Sequence, residues 1–248
     1  MNIDFPAPSQ HTALKELWAE SFGDEESFIR MFFATGLSPE RCRCITTNDD
    51  VAAALYWFDC EADSGKLAYL YAVATAKAHR GKGLCRKLME DTHALLKRQG
   101  YTGTILVPGE PGLFAMYEKM GYSAMNCMGS FSCAAEGTCD IRRATLEEYA
   151  AARKALLPAG SVVQEQGLSY LAGYAELYTG KDFTLAGVRK GNAFTAMELL
   201  GNAASAPAIL GTLGLKEGTF RIPGNQPFAM YHPLSNSPAP TYFGLAFD

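Results

Sequence analysis

At 248 residues, 48% of them hydrophobic, the chain is long enough for one large domain or two small ones and has ample apolar side chains for a core. A formal net charge of −4, with no long run of lysine and arginine, speaks against nucleic acid as a partner, because phosphate contacts need a basic footprint. No stretch approaches the ~20 apolar residues of a membrane span, and Met1-Asn2-Ile3-Asp4-Phe5-Pro6 has neither the charged leader nor the apolar core of a signal peptide, so a cytoplasmic protein is expected. Seven scattered cysteines without a Cys-x-x-Cys pair read as reduced thiols. The four histidines lack ligand spacing, so no metal is expected.

In chain order, residues 10–21 and 24–35 predict two helices. Leu14, Leu17 and Trp18 form the apolar face of the first, Gly23 breaks the run, and Asp24 is placed to cap the second. Their aromatic residues, together with Tyr56 and Trp57, suit either core packing or an apolar wall for an acceptor. Residues 41–47 and 51–60 predict a hairpin about Asn48-Asp49-Asp50. A buried strand over 69–75 then runs into Arg80-Gly81-Lys82-Gly83-Leu84-Cys85. Leu84, Leu88, Thr92, Leu95 and Leu96 continue from there at helical spacing, and Gly100 closes that helix.

Two glycines between a strand and a helix let a ligand approach the backbone, where the first free amides of the helix favour an anion, usually phosphate. Arg80, Lys82 and Arg86 add positive charge. A Walker loop would need Gly-Lys-Ser/Thr, but Leu84-Cys85 follows Gly83. A dinucleotide fingerprint would need Gly or Ala where Arg86 stands.

The spacing instead resembles the acyl-CoA pyrophosphate loop, Arg/Gln-x-x-Gly-x-Gly/Ala, of the GCN5-related N-acetyltransferases (GNAT). Arg80 and Gly83 match it, and the small Cys85 departs from the usual final Gly or Ala. After a strand at 104–107, Tyr117-Glu118-Lys119-Met120-Gly121-Tyr122 resembles the end of the family's late helix, whose tyrosine lies near the CoA sulfur. The resemblance covers the chain to about Phe131. It implies a mixed α/β acyltransferase fold, acetyl-CoA as co-substrate and a small-molecule or peptide amine as acceptor. Arg80, Gly81, Lys82, Gly83, Leu84 and Cys85 would hold the pyrophosphate. The backbone of Ala72 and Val73 would take the pantetheine amides, and Tyr117 would give a proton to the departing thiolate.

The organising strand has no carboxylate to serve as base. Asp59, Glu61, Glu110, a water relay and the terminal carboxylate of Asp248 remain as choices, the last because it reaches the active site in acetyltransferases of the enhanced-intracellular-survival type. A non-catalytic acyl-CoA-binding module, or transfer of another acyl group, is the alternative.

Around Glu136-Gly137-Thr138 the composition turns small and polar, and Thr145 with Glu148 forms a capping box for a new helix. Two domains, 1–135 and 139–248, are therefore expected. The second should contain a helix over 164–178, a hairpin of 183–189 and 193–200 about Lys190-Gly191-Asn192, a helix at 207–213, and strands at 219–222, 228–232 and 242–247. Gly103-Thr104 leading through Pro108-Gly109 to Phe114-Ala115-Met116-Tyr117 is echoed by Gly218-Thr219, Pro223-Gly224 and Phe228-Ala229-Met230-Tyr231. Pro233 allows the second copy to be strand where the first is helix. The echo points to a tandem arrangement whose degenerate second half has no pyrophosphate loop.

Overall fold

The computed structural model describes residues 1–47 and 50–247. Asn48 and Asp49, where the turn of the first hairpin is expected, and Asp248, a candidate base, lie outside that range. The chain forms two compact units: Met1–Ser123 with Tyr231–Ala239, and Ala124–Met230 with the chain from Pro240 onward. The two-domain division at 1–135 and 139–248 is kept as a proposal beside these units.

The first unit runs β1 (Asn2–Asp4), α1 (His11–Phe22), α2 (Glu26–Thr35), β2 (Cys42–Thr47), β3 (Asp50–Ala62), β4 (Gly65–Thr75), α3 (Leu84–Arg98), β5 (Gly103–Leu106) and α4 (Pro111–Glu118). Its strands lie in the order β1-β2-β3-β4-β5, antiparallel through β4 and parallel at β4–β5, as a crossover through a helix requires. The apolar stripe of α3, with Leu84, Leu88, Met89 and Leu96, is buried. Gly100 at φ 82° takes the left-handed position after the helix, where the Tyr101 N–H donates back to Leu96 O.

Two details of this half differ from expectation. Asp24 does not cap α2; its carboxylate accepts from Trp18 Nε1 at 2.7 Å, and Glu25 occupies the cap position. The late helix stops at Glu118, because Gly121 adopts φ 87° and turns the chain into the next strand.

The second unit continues with β6 (Ser123–Ala134), β7 (Ile141–Arg143), α5 (Leu146–Leu156), α6 (Leu168–Leu171), β8 (Glu176–Gly180), β9 (Phe183–Lys190), β10 (Ala193–Gly201), α7 (Ala206–Thr212), β11 (Glu217–Pro223) and β12 (Gln226–Pro233) as far as Met230, the rest of β12 belonging to the first unit. From β7 to β11 it repeats the succession of β1 to β5: strand, two helices, three antiparallel strands, a crossover helix and a parallel strand. Even a β-bulge recurs. One extra residue sits in β4 opposite Ala54 and Tyr56, and one in β10 opposite Gly187 and Ala186.

The second copy carries no anion cradle. Asn202 caps the turn before α7 through the Ala204 N–H, Pro207 stands in the first turn, and the helix is seven residues long. The echoed segment Phe228 to Tyr231 is strand, whereas Phe114 to Tyr117 is helix.

The capping box of α5 forms as expected, with Thr145 Oγ1 accepting from Glu148 N at 3.2 Å. Two expectations fail here. Residues 164–178 contain only the four-residue α6, because Gly167 and Gly173 interrupt the run and residues from Glu176 pair with β9 and β7 instead. Residues 242–247 are not a strand. Only Tyr242 forms a bridge, to Ser161, and side chains take the carbonyls beyond it: Asn126 Nδ2 donates to Phe243 O at 3.0 Å and Gln164 Nε2 to Leu245 O at 2.7 Å.

That tail closes over a buried ion pair. Arg153 on α5 donates to both carboxylate oxygens of Glu198 on β10, at 2.6 and 3.1 Å, and to Gln164 Oε1 at 3.2 Å. The Tyr242 hydroxyl donates to Glu198 Oε1 at 3.1 Å. Each charge therefore keeps several partners away from water, the condition under which such a pair survives burial.

Candidate active site

β4 and β5 are paired only where Leu67, Ala68 and Tyr69 face Gly103, Thr104 and Ile105. Beyond Tyr69 the two strands part, and Ala72 adopts φ 48°, the one left-handed non-glycine among the described residues. Ala72 and Val73 form the bulge itself, lying between the Tyr71 and Ala74 pairings with β3, on the stretch of β4 that β5 no longer covers. The half-buried Tyr71 beside them packs against Trp18 at 5.7 Å. Trp18 also meets Phe32 at 4.5 Å and Tyr56 at 5.6 Å, so α1 and α2 wall the same end of the strand with aromatic rings. Trp57, one residue along β3, lies on the other face against the Tyr101 hydroxyl at 3.4 Å.

The chain leaves β4 through a short turn, Lys77–His79, whose Lys77 N–H is held by Glu20 Oε2 from α1 at 3.0 Å. Gly81 and Gly83 both adopt φ 73°, which L-residues with side chains resist, and a Cβ at either would stand in open space. Gly83 is the N-cap of α3 and supplies no capping side chain, so the amides of Leu84, Cys85 and Arg86 are left to an external acceptor.

Each basic side chain stitches the loop to a carbonyl. Arg80 Nε donates to Thr75 O at 3.0 Å, Lys82 Nζ to Ala78 O at 2.9 Å, and Arg86 Nη1 to Lys119 O at 3.0 Å. The cradle, its charge and the open edge of β4 are thus contiguous. They fit a diphosphate carrying a long amide-bearing arm.

Tyr117, in the last turn of α4, is buried. Burial, and secondarily the Cys85 thiol beside it, push its phenol well above the ordinary tyrosine range, so it stays protonated at neutral pH. Burial also raises the Cys85 thiol, which is therefore a small neutral neighbour rather than a nucleophile.

The family model for the acetyltransferase (GNAT) domain matches residues 2–125, half of the chain. The chain is a member of the GNAT acetyltransferases. This places it among acyltransferases. Three solved GNAT-like structures extend the likeness over nearly its full length. A GCN5-related N-acetyltransferase from Anabaena variabilis is 12% identical with a TM-score of 0.73, over 94% of this chain and 72% of that one. One from Kribbella flavida is 18% identical at 0.68, over 93% and 70%. Eis1 from Mycobacterium abscessus is 10% identical at 0.67, over 94% and 74%. At these identities the likeness is one of fold. No match is found among curated proteins.

Against this GNAT frame, Arg80 to Cys85, Ala72, Val73 and Tyr117 all lie in the first unit, on the loop, strand and helix just described. Among the candidate bases, Asp59 is already committed. It pairs with Arg41 at 3.0 Å and Lys66 at 3.2 Å and accepts from the Tyr101 hydroxyl. Burial works against its charge, but those three partners outweigh it and hold the carboxyl below the usual range. Asp59 also faces Ala68, four residues and about 13 Å along β4 from Ala72. Glu61 and Glu110 are exposed, the latter just ahead of α4. Among the described residues no three His, Cys, Asp or Glu side chains are placed to hold a metal ion, and no helix is long and apolar enough to cross a membrane.

Sequence reasoning missed one cluster beside Tyr117. The Tyr122 hydroxyl meets Thr104 Oγ1 at 2.7 Å and His93 Nε2 at 2.9 Å, and His93 stacks on His232 with ring centroids 4.1 Å apart. Tyr122 was legible as the end of the late-helix motif, but nothing in the sequence joins His93 to a residue far along the chain.

Burial, and then the neighbouring His232, depress His93 from 6.5 to about 3. Its folded pKa is below its unfolded one, so the unfolded chain binds the extra proton. The associated stability is complete above about pH 6.5 and is lost as the pH falls toward 3, up to ~5 kcal/mol in all. Urea unfolding at stepped pH should show this loss, and His93→Gln should flatten it.

Proposed function

We propose that the protein is an acetyl-CoA-dependent N-acetyltransferase that passes the acetyl group to an amine of a small molecule or peptide by direct attack in a ternary complex. The observation that carries this reading is the uncapped α3 terminus behind two left-handed glycines, opening onto the unpaired edge of β4 with Tyr117 nearby.

In this reading the amides of Leu84, Cys85 and Arg86, with Arg80 and Lys82, hold the diphosphate of acetyl-CoA. The Ala72 and Val73 backbone orients the pantetheine arm and the thioester carbonyl. The amine nitrogen attacks the carbonyl carbon, the carbon–sulfur bond breaks, and the Tyr117 phenol protonates the departing sulfur. A phenol held neutral by burial suits that task. An alkylamine is mostly protonated at neutral pH and must lose a proton before it attacks. For that step the family resemblance offers the terminal carboxylate of Asp248.

The test is a screen of polyamines, aminoglycosides, amino acids and peptides for thiol release from acetyl-CoA, followed by Tyr117→Phe with the best acceptor. The expected result is a kcat lower by about 10- to 100-fold with KM for acetyl-CoA unchanged. Tight acetyl-CoA binding without turnover of any acceptor would overturn catalysis and leave a binding module.

A further inference from the structure

Tyr117 sits in the final turn of an eight-residue helix, where fraying would be expected. Its own carbonyl accepts from Met120 N at 2.9 Å and Tyr122 N at 3.1 Å, so the chain folds back and sets the Tyr122 ring edge-on to the Tyr117 ring at 5.7 Å. Tyr122 is buried and tethered at its far end. Its hydroxyl closes a triangle with Thr104 Oγ1 of β5 and His93 Nε2 of α3, which are themselves 3.3 Å apart. On the other side His232 stacks flat on His93, and its Nδ1 meets Gly121 O at 3.0 Å. An apolar side chain would fill the same volume without burying polar groups that must all be paired. What the triangle adds is direction: the residue packed on Tyr117 is fixed to the helix that carries the phosphate loop and to the strand beside β4.

We infer that Tyr122, through its hydroxyl contacts with Thr104 and His93, is a positioning residue that fixes the Tyr117 hydroxyl for proton delivery. The inference rests on the proposed role of Tyr117 as proton donor. Tyr122→Phe keeps the ring and leaves Thr104 and His93 close enough to bond each other, so the fold is retained.

The measurement is thiol release from acetyl-CoA with the best amine of the screen above, and with water alone as control, in wild type, Tyr117→Phe, Tyr122→Phe and the double variant. Tyr122→Phe is expected to lower kcat about tenfold with KM and the acetyl-CoA dissociation constant unchanged. In the Tyr117→Phe background it is expected to add nothing, as for two groups acting through one step. Thr104→Val should behave as Tyr122→Phe does, and Thr104→Ser as wild type. Wild-type kcat in Tyr122→Phe, or an equal further loss in the double variant, overturns the inference while Tyr117 keeps its role. An unchanged kcat in Tyr117→Phe overturns both.

Discussion

Gly83→Glu is expected to abolish acetyl-CoA binding at concentrations that saturate the wild type, a loss of at least about 100-fold, or ~3 kcal/mol. Two effects add at this position. Any L-residue at φ 73° costs about 1–2 kcal/mol, so the turn before α3 would relax away from the geometry that aims its amides outward. The new carboxylate would then stand beside the amides of Leu84, Cys85 and Arg86, where an anionic ligand is proposed to sit, and repel it. Gly83→Ala separates the two effects, because a Cβ there meets no atom within 4 Å and only the backbone term remains. A loss of no more than about tenfold is expected for alanine. Calorimetric titration with acetyl-CoA measures both variants, and circular dichroism should show an unaltered fold because the position is exposed. Wild-type affinity in Gly83→Glu would remove the loop from the site.

The largest effect on stability should come from Arg153→Leu. It strands the Glu198 carboxylate, which is 1% exposed, and also removes a partner of Gln164. Breaking one side of a buried pair costs about 3–5 kcal/mol, against which the modest gain from a leucine side chain is small. Replacing both, Arg153→Leu with Glu198→Leu, should recover most of the loss, since no charge is then left without its counterpart. Both tryptophans, Trp18 and Trp57, lie in the first unit, so fluorescence would report on the wrong half. Urea unfolding followed by circular dichroism, with hydrogen exchange across residues 242–247, reads the right one. Equal stability of Arg153→Leu and wild type would mean the pair is not buried as described.

Much of the first unit was legible because its signals are local. A charge-free strand, two glycines at a strand-to-helix junction and a helical run ending in glycine each follow from conformational preferences of neighbouring residues, and β4, the loop and α3 stand where those preferences put them. The capping box of α5 and the hairpin of β9 and β10 are legible for the same reason. The errors fall where distant partners compete with local preference. Residues from Glu176 give up a helical pattern for pairing with β9. Residues 242–247 have strand-like composition, but side chains of Asn126 and Gln164 bond their carbonyls in place of a ladder.

The order of residues alone therefore determined the glycine-rich turn before α3, the helix that carries Tyr117 and the duplicated plan, since each is written in spacings of a few positions along the chain. Tertiary structure alone decided that β4 parts from β5 beyond Tyr69, that Asp59 is held by Arg41 and Lys66, and that His93, Tyr122, Thr104 and His232 converge behind Tyr117. Those depend on which atoms end within about 3 Å of one another after folding, and spacing along a chain carries no record of such distances.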